Sequence, residues 1–339
     1  MSLKHNSNSF DLLRLVAASA VLISHQFQIL GRPEPPVFGI VSLGFFAVLV
    51  FFTLSGRLIT QSWERDPRVK NFLLKRCLRI FPALAVVVVL TVFMVGPVFT
   101  TLSLREYFSK AETWEYFRCA VLWTKHVLLP GVFETNPHPS VVNPSLWTLP
   151  IEFALYISVL AAGLLGILRG KYMVSIGLIG LSLLAAMAPF SGNINIMNLT
   201  IIVASFWWGS WQLLFFKIDR ACRIDQLLGI AALIIIATVG SHSIARAGLI
   251  IFASGLVWGA SKLQFGDQIT RRLGDLSYGI YIIAYPVQQS LVAAFGKGAF
   301  SYAEYLTMSC AIVFPLSLLS WHLLEKHCIR MKAIFLNSA

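Results

Sequence analysis

The chain has 339 residues, 57% of them hydrophobic and only 12% charged, with a mean hydropathy of +0.75. Soluble domains carry about 25% charged residues, so this composition excludes one or two soluble domains and indicates a protein that crosses a membrane several times. The net charge of +12 does not call for nucleic acid, because lysine and arginine fall in short clusters between apolar runs, as the positive-inside rule requires.

A membrane span needs about 20 mostly apolar residues. On that rule the sequence predicts an all-α transmembrane bundle of ten spans, at 10–30, 37–60, 76–96, 147–168, 172–190, 196–216, 224–240, 246–262, 274–295 and 303–325. The first run has no convincing small-residue cleavage site, so it reads as the first helix and not as a signal peptide. Basic clusters at Arg65 to Lys75, Arg169 to Lys171, Lys217 to Arg223, Lys262 to Arg272 and Lys326 to Lys332 all fall on one side when both termini are cytoplasmic. The one long connection, 97–146, is then external. In it, Ser103 and Glu106 have capping-box spacing, and Trp114, Tyr116, Phe117 and Trp123 follow, which predicts a helix lying at the membrane surface. Such a segment serves as an aromatic anchor or as a cover over an acceptor site. No linker, internal repeat or appended soluble domain is visible, so the expectation is a single domain over 1–339. The five cysteines, Cys77, Cys119, Cys222, Cys310 and Cys328, are scattered singly and predict neither disulfides nor a metal site.

Charged groups inside a bilayer are costly and mark functional sites. Arg14 and His25 on the first span lie eleven residues apart, which returns them to one helix face about 16 Å apart along the axis. Asp11 precedes Arg14 by three residues and is placed to orient it. Glu152, in NPSLWTLPIEF, enters the fourth span at about the depth of His25. A carboxylate there is expected to fix the imidazole tautomer and make His25 a general base for a hydroxyl nucleophile, although a buried pair that only joins two helices fits the same spacing. Arg57 ends the second span, and KRCLRIFP puts Arg76 and Arg79 in the first turn of the third, at the depth of Arg14. Four converging guanidiniums suit bidentate capture of phosphates. Acyl coenzyme A, a phosphorylated donor with a long flexible arm, has the shape to dock there and reach His25.

These residues resemble the acyltransferase 3 family of membrane O-acyltransferases. The resemblance rests on FDLLRLVAASAVLISH with Arg14 and His25, FFTLSG with Ser55 and Gly56, RCLRIFP with Arg76, Arg79 and Pro82, SLWTLPIE with Trp147 and Glu152, and LGDLSYGIYIIAYPV and LLEK near the end. It implies transfer of an acyl group, commonly acetyl from acetyl coenzyme A and without a metal, to a sugar hydroxyl of a glycan such as O-antigen or exopolysaccharide outside the bacterial cytoplasmic membrane. His25 and Arg14 take the roles of the family's first-helix pair, and Arg76 and Arg79 those of its arginine motif. Some relatives carry a fused extracytoplasmic hydrolase-like domain, and this chain is expected to act without one.

Two positions depart from the family pattern. Ala284 stands where many relatives have histidine, and Tyr278, Tyr281 and Tyr285 line that helix face instead, as a sugar or acyl path or as aromatic packing. His327 replaces a usual proline at a helix end. His5, His126, His138, His242, His322 and His327 lie near or beyond the predicted membrane boundaries and are assigned no role. Partners are therefore expected to be acyl coenzyme A, a glycan or lipid-linked glycan, and lipid. The rival from another class is a transporter or flippase with His25, Glu152 and Arg14 in a substrate or proton path. A scaffold that has lost catalysis is raised only by Ala284.

Overall fold

The computed structural model describes residues 9–124, 128–169, 175–180, 194–217, 243–263 and 272–337. Helix α1 (Phe10–Ile29) begins where Ser9 N donates to Ala260 O at 3.1 Å and Ser9 Oγ to Leu263 O at 3.1 Å. A small hairpin, β1 (Pro36–Val37) with β2 (Val41–Ser42), follows. Two consecutive left-handed residues, Phe38 at φ +52° and Gly39 at φ +71°, turn the chain between its strands. Ser42 then caps α2 (Leu43–Arg65) by accepting from Phe45 N.

Helix α3 (Val69–Leu90) continues through a π turn (Thr91–Val95) into α4 (Gly96–Phe99). The long connection contains α5 (Leu104–Ser109), α6 (Ala111–Glu115) and 3-10 turns at Tyr116–Val121 and Pro144–Trp147. Ser103 and Glu106 form the capping box that their spacing predicts. Phe108, Trp114 and Phe117 gather around Phe93 at the end of α3, and Trp114 and Trp123 are about half exposed. After α7 (Thr148–Leu164), residues 175–180 are helical. Then come α8 (Ile194–Lys217), α9 (Ser243–Lys262), α10 (Ser277–Phe295), α11 (Tyr302–Ser320), a second π turn (Trp321–Glu325) and α12 (Lys326–Asn337).

Helix α2 is central, with α1, α7, α8 and α9 packed around it, while α10 lies between α1 and α11. Its contact with α8 is close because small residues face each other. A Cβ on Gly56 would fall 1.8 Å from Phe206 O, and one on Gly209 1.8 Å from Thr53 O. Thr60, Ser210 and the Gly56 carbonyl hydrogen-bond across the same seam. Between α1, α10 and α11, Gln288 Nε2 donates to Leu22 O and Gln26 Oε1, and Ser309 Oγ also donates to Gln26 Oε1. Leu49, Phe72, Leu84, Val88, Val159, Phe206 and Ile282 fill the apolar core.

Among the described residues, five helical segments are long and apolar enough to cross a membrane: Phe10–Ile29, Leu43–Arg65, Val69–Phe99, Pro144–Leu164 and Tyr302–Met331. The chain is thus a helical membrane protein. The second segment starts later than the apolar run because the hairpin takes up its first residues, and the third starts earlier, at Val69. Arg76 and Arg79 therefore lie in the second and third turns of α3 and not in its first. The predicted span at 224–240 lies outside the described residues, as does most of 172–190.

Candidate active site

A cavity of about 690 Å³ opens among α1, α2, α3, α7 and α10. Its lining on α2 runs from Val48 to Arg65, a span of about 25 Å of helix axis. Five basic side chains line it, Arg14, Arg65, Lys75, Arg76 and Arg79, against two acidic ones, Glu152 and Asp275. The basic residues gather toward the α2–α3 turn. In that turn, hydrogen bonds from Arg68, Lys75 and Asn71 hold the Asp66 carboxyl well below the usual carboxylate range.

The arginines do not form the open quartet expected from the sequence. Asp275 Oδ2 accepts from Arg79 Nη2 at 2.6 Å and from Arg14 Nη1 at 3.2 Å, and Arg79 also pairs with the buried Glu325 at 3.2 Å. Asp11 reaches Arg14 at 3.6 Å, as its spacing implies. Arg57 turns away: its guanidinium donates to Gln212 on α8 and lies over the Phe10 ring, and it does not line the cavity. Arg76 has no ion pair among the described residues. Its Nη2 donates to Ser62 Oγ at 2.8 Å, its Nε is buried without a partner, and its cation sits near the rings of Phe72 and Tyr156. A cation held by aromatic faces and one hydroxyl keeps hydrogen-bonding capacity for an anion.

Glu152 and His25 do not meet. Glu152 Oε1 accepts from Ser55 Oγ at 3.3 Å and from the Tyr156 hydroxyl, within the cavity. His25 makes its closest aromatic contact with Tyr285, edge to face with ring centroids 5.0 Å apart, and does not line the cavity. The sequence placed the two at one depth by counting inward from a membrane surface near residue 147. In the structure the segment before α7 is tucked into the bundle. Asn143 Nδ2 donates to Ile282 O in the second turn of α10, and Thr148 Oγ1 lies 2.6 Å from the Tyr281 hydroxyl. Helix α7 therefore starts deep and carries Glu152 to the level of Ser55, half-way along α2. The expected carboxylate support of His25 is corrected accordingly.

Ser55 and Tyr281 line the cavity, whereas Trp147 is 40% exposed at the start of α7 and lies outside it. The three tyrosines of α10 form a ladder along the site. Tyr278 donates to Ile80 O beneath the Arg79 cation, Tyr281 meets Thr148, and Tyr285 meets His25 and His138. Asp275, Glu325, Tyr156 and His138 were not singled out from the sequence as site residues. The acids stand in LGDLSYG and LLEK beside basic flanks, where an acid looks like an ordinary loop charge, and the Glu152 to Tyr156 spacing of one helical turn was the one available signal.

A cavity lined by five basic side chains, with a carboxylate and a hydroxyl beside them, thus stands in a membrane-crossing bundle next to a histidine with a buried Nδ1. The sequence matches the family model described as "Acyltransferase domain", of the acyltransferase 3 type, over residues 7–322, so the chain belongs to that family and is an acyltransferase. It is similar to an "O-acetyl transferase" of Shigella phage Sf6, at 31% identity over 95% of this chain and 96% of that protein. It is also similar to "Nodulation protein 10" of Rhizobium leguminosarum bv. viciae, at 28% identity over 96% of this chain and 94% of that protein. No solved structure gives a significant match.

Proposed function

We propose that the protein is a membrane O-acyltransferase that moves an acyl group, acetyl in the first instance, from acyl coenzyme A to a hydroxyl of a glycan on the far side of the bacterial inner membrane. The chain crosses ten times with both termini in the cytoplasm, which puts the basic mouth of the cavity in reach of a cytoplasmic donor. Arg76, with Lys75 and Arg65 at the mouth, takes the donor phosphates, while Asp275 holds Arg14 and Arg79 in place beside them. The cavity's length along α2 suits the extended arm of such a donor. Glu152 and Ser55 flank the arm, and the thioester end lies toward Tyr281, one helical turn, or about 6 Å, short of Tyr285 and His25.

The observation that carries this reading is the state of His25. Its Nδ1 is buried and has no hydrogen-bond partner among the described residues, so its lone pair is free to take a proton from an incoming hydroxyl. The hydroxyl oxygen then bonds the acyl carbon, the carbon–sulfur bond breaks, and the coenzyme thiolate leaves and recovers a proton. The name of the phage relative supports O-acetyl transfer, and membership of the family supports the acyl chemistry. Mass spectrometry of surface glycans from cells making the wild type, His25→Ala or no protein tests the reading. An acyl mass gained only with the wild type supports it. Full transfer by a normally inserted His25→Ala protein removes His25 as the base, and transport of an unmodified glycan returns the transporter alternative.

A further inference from the structure

The connection before α7 folds back over the end of α10 and is fixed there. Gln289 Nε2 donates to the carbonyls of His138 at 2.8 Å and Val141 at 2.9 Å, and Asn136 Nδ2 donates to Gln289 O at 3.0 Å and Oε1 at 2.7 Å. Both Asn136 N and Ser140 N donate to Phe133 O, and Phe133 and Ser140 adopt φ of +58° and +62°. Non-glycine residues keep such angles only where the surroundings impose them. This turn presents His138, whose Nδ1 lies 2.8 Å from the Tyr285 hydroxyl. Tyr285 is fully buried, and its ring meets the His25 ring at 81°.

Catalytic histidines are usually oriented by a hydrogen bond to the ring nitrogen that does not react. Among the described residues no hydrogen bond reaches either ring nitrogen of His25, so the edge-to-face contact with Tyr285 is the interaction that sets the ring. The Tyr285 ring is in turn set by its hydroxyl, which left unpaired would be a buried donor at a cost to stability. Resting on the reading that His25 activates the acceptor hydroxyl, we propose that His138 is a positioning residue for the transfer: its Nδ1 accepts the Tyr285 hydroxyl and so fixes the ring that orients His25. The outer connection is thereby joined to the reacting imidazole through a single buried tyrosine.

The role requires a neutral His138, with its proton on Nε2. Burial lowers the His138 pKa and favours that form. The ionisable groups around it are His25 from α1, Tyr285 from α10, Glu34 from the α1–α2 connection, and Lys297 beyond α10, whose Nζ lies beside Pro137 near Gly31. Acidification turns Nδ1 from an acceptor into a donor, so the bond to Tyr285 reverses and the phenol proton loses the acceptor that fixed it.

The test uses the full-length protein in lipid nanodiscs, radiolabelled acetyl coenzyme A and the glycolipid fraction of the native host. His138→Ala and Tyr285→Phe each lower apparent kcat about tenfold with the donor KM unchanged, and the double variant is no slower than either single one. His138→Asn, which puts an amide oxygen near the place of Nδ1, recovers most of the rate and loses the part of the acid limb that His138 protonation supplies, leaving the limb of the His25 base in the pH–rate profile. Additive losses in the double variant overturn the proposal, as does His138→Asn that is as slow as His138→Ala or keeps the wild-type profile. Labelled glycolipid at the wild-type rate from every variant overturns the positioning role alone, whereas no label with the wild type overturns the transfer reading and this role with it.

Discussion

Asp275 binds Arg79 at 2.6 Å across 196 residues of sequence, and the same carboxylate oxygen holds Arg14 at 3.2 Å. One acid thus aligns two cations from different helices on the wall of the cavity. Asp275→Asn removes the acid and leaves both guanidiniums in partly buried positions without it. The expected result is a loss of about 2 kcal/mol in stability, read by thermal unfolding in detergent, and a severalfold rise in donor KM as the arginines separate. Unchanged stability and kinetics would show that the pairs carry no energy.

Arg76 lines the cavity with no carboxylate bound to it among the described residues. Arg76→Lys keeps the charge but loses the planar fork and the stacking on Phe72 and Tyr156. It is expected to raise donor KM about tenfold with little change in kcat, measured by steady-state kinetics against acetyl coenzyme A. A fall in kcat at constant KM would instead place Arg76 at the transition state.

Gly56 in FFTLSG sits where α8 comes closest to α2. Gly56→Ala drives a methyl group to 1.8 Å from the Phe206 carbonyl oxygen, which the backbone must retreat to admit. Such overpacking costs about 1–3 kcal/mol and is expected to lower the thermal midpoint. Gly255→Ala in α9, whose Cβ would meet nothing within 4 Å, is the control and is expected to hold or raise that midpoint.

The Asp66 carboxyl at the α2–α3 turn has its pKa depressed by hydrogen bonds from Arg68, Lys75 and Asn71. A depressed folded-state value means that this contribution is fully present above the ordinary carboxylate pKa, near about 4, and is lost as pH falls from there through the lower folded value. Thermal midpoints measured down from neutral pH are expected to drop in that acid range for the wild type and to drop less for Asp66→Asn. Parallel curves for the two proteins would exclude the effect.

Apolar runs and basic flanks identify the membrane-crossing helices in the sequence, because the energies involved are summed over about 20 residues and do not depend on who the neighbours are. The Ser103–Glu106 cap is legible for a similar reason, being local. His25 and Arg14 could be placed on one helix, but the separation of His25 from Glu152 could not be read. It depends on Asn143 reaching the backbone of α10 and pulling the start of α7 inward. Arg57 was counted among the converging guanidiniums because its position along the chain gives a depth and not a direction, and its direction is set by Gln212 on α8. His138 stands in a polar connection 147 residues before Tyr285, and only tertiary folding brings its ring to that tyrosine.

The cavity lining ends toward α10 at Tyr281 and Thr148, which hydrogen-bond to each other. A bilayer that stores an ion gradient would discharge it through any unbroken column of water. By meeting across that point, the phenol and the threonine give the bundle a septum, so that a large chamber can stand open on one side without turning the protein into a leak.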